Sequence, residues 1–177
     1  LPGLVTCLEM SEIRRFVRAG HALLRIATWE EQDAAAEVVE AARERLGPDL
    51  EPFDWDAAGA TGDGAGKELG LEDVLDAAAG SPGPALFLLR DVHRFLERPS
   101  VARRVRRLPA AIGDRPVLVV LLTPPGDLPP ELAHEIPSAE HALPDLPRLA
   151  LIVETEVGAG RLGDSITKAL GASALRG

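Results

Sequence analysis

Val117-Leu118-Val119-Val120-Leu121-Leu122-Thr123, closed by Pro124-Pro125, is the stretch on which the reading of this chain turns. The run is continuous rather than alternating, and it is far too short to cross a membrane. It therefore predicts a strand covered on both faces. Ala85–Leu89 ahead of Arg90-Asp91 repeats the pattern, and Leu23, Leu24 and Ile26 centre another strand over 21–28. Amphipathic helices separate them. Residues 11–19 can be capped by Ser11 and closed by Gly20, with Ile13, Phe16 and Val17 on one face. Trp29–Leu46 turns Ala35, Val38, Val39, Ala42 and Leu46 inward, and Gly47-Pro48 ends it. Leu71–Ala79 is a short helix, and Pro99–Gly113 faces inward with Val101, Val105, Leu108 and Ile112, bent at Pro109. Pro130–Ile136 is a last short helix. Glu51–Trp55 reads as an edge strand weakened by Pro52, and Ala139–Leu143 as the final strand. Residues 57–70, small and rich in glycine, read as a flexible surface loop. The alternation predicts an α/β three-layer sandwich: a parallel sheet with helices on both faces.

Composition narrows the function. The chain has 177 residues, 46 % apolar and with a net charge of −9. That acidity disfavours nucleic acid and anionic membranes as partners. No secretory leader is visible. Cys7 is the only cysteine, so no internal disulfide and no cysteine-based zinc cluster can form; a reducing, cytoplasmic location is the expectation.

In a doubly wound sheet, ligands bind at the carboxyl ends of the strands. A phosphate-binding loop there needs G-x-x-x-x-G-K-[ST], so that backbone amides close on the phosphates and the lysine reaches the outer ones. After the first strand the chain instead reads Ala27-Thr28-Trp29-Glu30-Glu31. No glycine is present, and two carboxylates stand on the helix N-terminus where a phosphate would bind. Gly62-Asp63-Gly64-Ala65-Gly66-Lys67 imitates the motif, but Thr61 and Glu68 break it and it sits in a loop.

Ala85–Asp91 resembles the strand that leads to a magnesium-binding acid. Asp91 is the candidate Mg²⁺ ligand, yet Val92 stands where a water-activating glutamate is needed, and valine accepts no proton. His93 is a possible substitute base, though a histidine packing at a strand end is the commoner case. Thr123 ends its strand where a γ-phosphate sensor would sit. The helix over 130–136 offers His134 and Glu135 but no arginine. Arg98, Arg103, Arg104, Arg106 and Arg107 form the one basic cluster, which could dock an acidic subunit or RNA or simply be a solvated face. Asp54 and Asp56 lie near a strand end and leave a paired-carboxylate hydrolase as a fourth option, though such residues more often solubilise a loop.

Taken in order, Leu24–Glu31, Ala85–Leu96, Val117–Pro125, Leu128–Ile136 and Leu143-Pro144-Asp145 resemble the first, degenerate ATPase-like domain of the Ycf-type AAA+ ATPases of plastids and their bacterial relatives. The resemblance covers about residues 11–145. It implies a five-stranded parallel sheet in the P-loop NTPase/AAA+ order 5-1-4-3-2, followed by the start of a small helical lid. The expected division is 1–146 for the α/β domain and 147–177 for the partial lid. Because the chain begins at Leu1 and ends inside that lid, a fragment of a larger ATPase is expected.

Three functions follow as expectations. The first is a non-catalytic module for assembly, regulation or recruitment, needing no cofactor and meeting other protein subunits or an active AAA+ domain, with a homo-oligomer possible. The second is a weak NTPase binding Mg-ATP through Asp91 and Thr123. The third is a flavodoxin-like signalling module, which strand order separates from the others.

Overall fold

The computed structural model describes residues 11–61 and 69–141. Helix α1 (Glu12–Arg18) is capped as its sequence implies: the Ser11 hydroxyl accepts the Arg14 amide at 3.2 Å. Strand β1 (Leu23–Ala27) leads through a short turn to α2 (Glu31–Leu46). Then come β2 (Pro52–Asp56), β3 (Gly59–Thr61), α3 (Leu71–Gly80), β4 (Ala85–Arg90), α4 (Pro99–Ile112), β5 (Val117–Thr123), α5 (Pro130–Ala133) and β6 (Ser138–Glu140).

The strands form one sheet in the order β3-β2-β4-β5-β1-β6. All neighbours are parallel except β2 and β3. Counting the parallel strands alone along the chain, the order is 5-1-4-3-2, as expected. A flavodoxin-like order would place the second strand beside the first, so that alternative is excluded. Strands β1, β4 and β5 alternate their side chains between two cores. Leu23, Phe87, Leu89, Val119 and Leu121 pack under α3 and α4, and Leu24, Ile26, Leu86, Leu88 and Val120 under α1 and α2. Every residue of β5 is buried, which is why its sequence carries no polar alternation.

Several boundaries differ from the sequence reading. Residues 59–61 are not loop but an antiparallel edge strand on β2, joined by a tight turn in which Asp56 Oδ1 accepts the Ala58 amide at 2.6 Å. This hairpin covers the edge of β2, so β2 is not the edge strand it was taken for. Helix α2 begins at Glu31, leaving Trp29 outside it; α5 stops at Ala133 because His134 closes its single turn. The last strand starts at Ser138 and ends at Glu140. Helix α4 continues through Pro109. The Gly62–Lys67 segment, the Leu143-Pro144-Asp145 block, Cys7 and the expected lid over 147–177 lie outside the described residues.

Candidate functional site

The carboxyl ends of β1, β4 and β5 meet at one edge of the sheet, where the sequence placed its candidates. The turn after β1 is held by its own groups. The Thr28 amide donates to Thr123 O at 2.9 Å, and the Thr28 hydroxyl accepts the Glu30 amide at 2.9 Å. One of the free amides at the start of α2 is thus already engaged. Trp29 projects into solvent at 71 % exposure. Glu31 and Asp33 put acid in the first turn, where the helix dipole favours it.

Beside that turn lies an ion network that the sequence reading did not foresee. Arg90 ends β4 on the same sheet face as Leu88, and Asp54 of β2 pairs with Leu88 in register. The Arg90 guanidinium therefore meets the Asp54 carboxylate fork to fork, with Nε and Nη2 each donating at 2.7 Å. It also donates through Nη1 to Glu31. Its hydrogen bonds to Asp54 raise its pKa, outweighing the burial that lowers it. Asp54, in the predicted strand Glu51–Trp55 but read as solubilising the loop beside it, has a structural partner instead.

Asp91 follows with φ 54° and ψ 20°, a left-handed conformation that aspartate tolerates better than most residues. Its side chain is exposed. Val92 turns the other way and is fully buried in the core beneath α4. His93 Nδ1 stands 3.9 Å from Asp91 Oδ1, beyond hydrogen-bond range, and has no hydrogen-bond partner among the described residues.

Because Arg90 pairs with Leu122, Asp91 and Thr123 come to the same level on adjacent strands. Thr123 is nonetheless 3 % exposed, and its hydroxyl accepts from Arg25 Nε at 2.9 Å. Arg25 is the second unforeseen residue. It is a guanidinium 8 % exposed in the middle of β1, donating Nη2 to Gly126 O at 2.6 Å and to Pro124 O at 3.3 Å. Burial lowers its pKa, partly offset by Asp127 and Glu140. It pins the loop after β5 to the sheet beside a small cavity of about 100 Å³ that His93 also lines. A charge inside the apolar run Leu23–Ala27 was the available signal.

The arginines of α4 separate by partner. Arg98 stacks on Phe95 at 4.8 Å, Arg104 meets Asp76 at 3.1 Å, and Arg106 grips Glu135 at 2.6 and 3.0 Å. Glu135 is thereby a surface tie, and His134 closes α5. Among the described residues no group of three or more His, Cys, Asp and Glu could hold a metal ion. Nor is any described helix long and apolar enough to cross a membrane.

The profile of the SpoVK-like AAA ATPase N-terminal domain family matches residues 9–141. No curated protein matches the chain. The match spans the whole described sheet and its helices, and the chain belongs to this family of AAA ATPase N-terminal domains.

Proposed function

We propose that this N-terminal domain is a non-catalytic AAA+-like module that supports assembly, regulation or partner recruitment for a larger AAA+ ATPase. The observation that carries the proposal is the Arg90–Asp54–Glu31 network beside the start of α2. A Mg-nucleotide needs free amides and an unengaged cation at that edge. Here the turn has no glycine, the Glu30 amide bonds Thr28, and Arg90 is held by its own carboxylates. Val92 faces the core rather than the site, and Thr123 already accepts from Arg25. These residues do not fit a triphosphate.

The reading extends to properties argued from sequence: likeness to the Ycf-type relatives, a degenerate phosphate loop, a cytoplasmic setting, and protein subunits or an active AAA+ domain as partners, with self-assembly among them. Calorimetric titration with Mg-ATP into the millimolar range tests it. The expected result is no saturable heat and no shift in melting temperature. Saturable binding abolished by Asp91→Ala would overturn the proposal in favour of a weak NTPase using Asp91 and Thr123.

A further inference from the structure

Among the described residues Arg25 is the one charged side chain in the buried class, and it forms no ion pair there. Its Nε and Nη2 donate only to neutral oxygens: the Thr123 hydroxyl and the Pro124 and Gly126 carbonyls. Nη1 has no acceptor among the described residues, yet it is not sealed from solvent. Asp127 and Glu140 act on the guanidinium only through space, and burial outweighs them, lowering its pKa. An unpaired buried cation is costly. A leucine would fill β1 without that cost, as Leu23 and Leu24 do.

The cavity of about 100 Å³ lies against this guanidinium. Arg25 shares a face of β1 with Leu23, so the cavity is on the α3–α4 side of the sheet. Helix α2, whose start a nucleotide would use, covers the opposite face. Arg25, Thr123 and Leu128 are buried around the cavity, while Gly126 and Asp127 on its rim are exposed. His93 lines it as well, and its buried Nδ1 lacks a hydrogen-bond partner among the described residues.

We propose that this cavity binds a short-chain carboxylate, its oxygens facing Arg25 and His93 and its alkyl end beside Leu128 and the proline rings. The ligand supplies the anion that Arg25 lacks, at the carboxyl ends of parallel strands where such sites form. The volume suits several waters or an acid of roughly three carbons, and excludes a nucleotide. A phosphate dianion fits less well on two counts. Pro124, Pro125 and Pro129 bring no N–H groups to cradle it, and Asp127 repels a second charge. The carboxylate belongs either to a free small acid or to a glutamate of a partner protein. The inference does not rest on the reading of the domain as nucleotide-free, because the two sites lie on different faces.

The test is a titration of the full chain with sodium propionate into the millimolar range, at constant ionic strength made up with sodium chloride. Heteronuclear NMR follows the Arg25 Nε–H and the amides of 92–96 and 126–128. Saturable shifts are expected with propionate and none when chloride alone varies. Arg25→Met should weaken binding about tenfold or more, the worth of a charge-assisted hydrogen bond. His93→Ala should weaken it about threefold. Asp127→Asn should tighten it about threefold by removing a like charge from the rim. Circular dichroism verifies folding, and the His93 and Asp127 variants, at more exposed positions, carry the test if Arg25→Met does not fold.

A blocked glycine pentapeptide with a central glutamate separates the two sources. Propionate binding with the peptide shut out assigns the cavity to a free acid, and tighter peptide binding assigns it to a partner's side chain. Shifts that stay linear in propionate, or that chloride reproduces, would overturn the proposal and leave a cavity filled by water. So would binding that survives Arg25→Met, no gain from Asp127→Asn, or inorganic phosphate binding more tightly than propionate.

Discussion

Arg90 holds two carboxylates from two different elements, and its side chain is only 14 % exposed. Truncating it would remove the fork from half-buried Asp54 and the tie to Glu31, and breaking a partly buried pair costs more than the pair itself contributes. Arg90→Ala should therefore destabilise the domain by about 2–4 kcal/mol, below the range for fully buried pairs because water reaches Glu31. Arg90→Lys should lose roughly half as much, keeping the charge but not the fork. Urea denaturation followed by Trp55 fluorescence measures both; a loss under about 0.5 kcal/mol for Arg90→Ala would show that the network carries no structural weight. Single residues were legible in the sequence where their chemistry is local. Asp91 follows directly on β4 and Thr123 ends β5, the strand-end positions expected of them. Arg25 and Arg90 were not legible as parts of this edge, because their partners come from strand register and from a loop about a hundred positions away. Nothing in the local sequence states which carboxylate or carbonyl will face a guanidinium.

Helices were read more surely than short strands, and α4 shows why. Val101, Val105, Leu108 and Ile112 announce its buried face at helical spacing, and all four are buried. Strand β3 has three residues, glycine among them, and no alternation to read. It exists because β2 beside it needs its edge hydrogen bonds met. The same contrast predicts what Pro109 does. It lies inside α4 and exposed, so it removes one backbone hydrogen bond without filling the core. Burial of the apolar face carries the helix through it. Pro109→Ala should restore that bond and add about 2 kcal/mol, the interior helix penalty of proline less the entropy it removes from the unfolded chain. An upward shift of the urea midpoint at unchanged slope is the expected observation. A downward shift would mean that the ring makes a contact worth more than the amide.

At the scale of the whole domain, the continuous apolar strands implied a sheet covered on both sides, and the order 5-1-4-3-2 agrees with the family match. Which arginines of α4 find carboxylates was invisible at that scale, since Asp76 and Glu135 reach Arg104 and Arg106 only on folding. The covered sheet has a mechanical consequence. Leu88 and Leu89 are neighbours on β4, both at or below 1 % exposure, yet one belongs to the core under α2 and the other to the core under α3 and α4. Trp55, anchored by its Nε1 donating to Leu69 O at 2.8 Å, reports on the second core alone. Leu88→Ala and Leu89→Ala should each cost about 2–5 kcal/mol through lost burial and a residual cavity. Because both cores share β1, β4 and β5, Leu88→Ala should lower the midpoint seen by Trp55 as much as that seen by circular dichroism, as for one cooperative unit. A Trp29→Phe background isolates the Trp55 signal, since the exposed Trp29 contributes no packing to either core. If Leu88→Ala shifted the dichroism transition but left the Trp55 transition in place, the two faces would be separate folding units joined by the sheet.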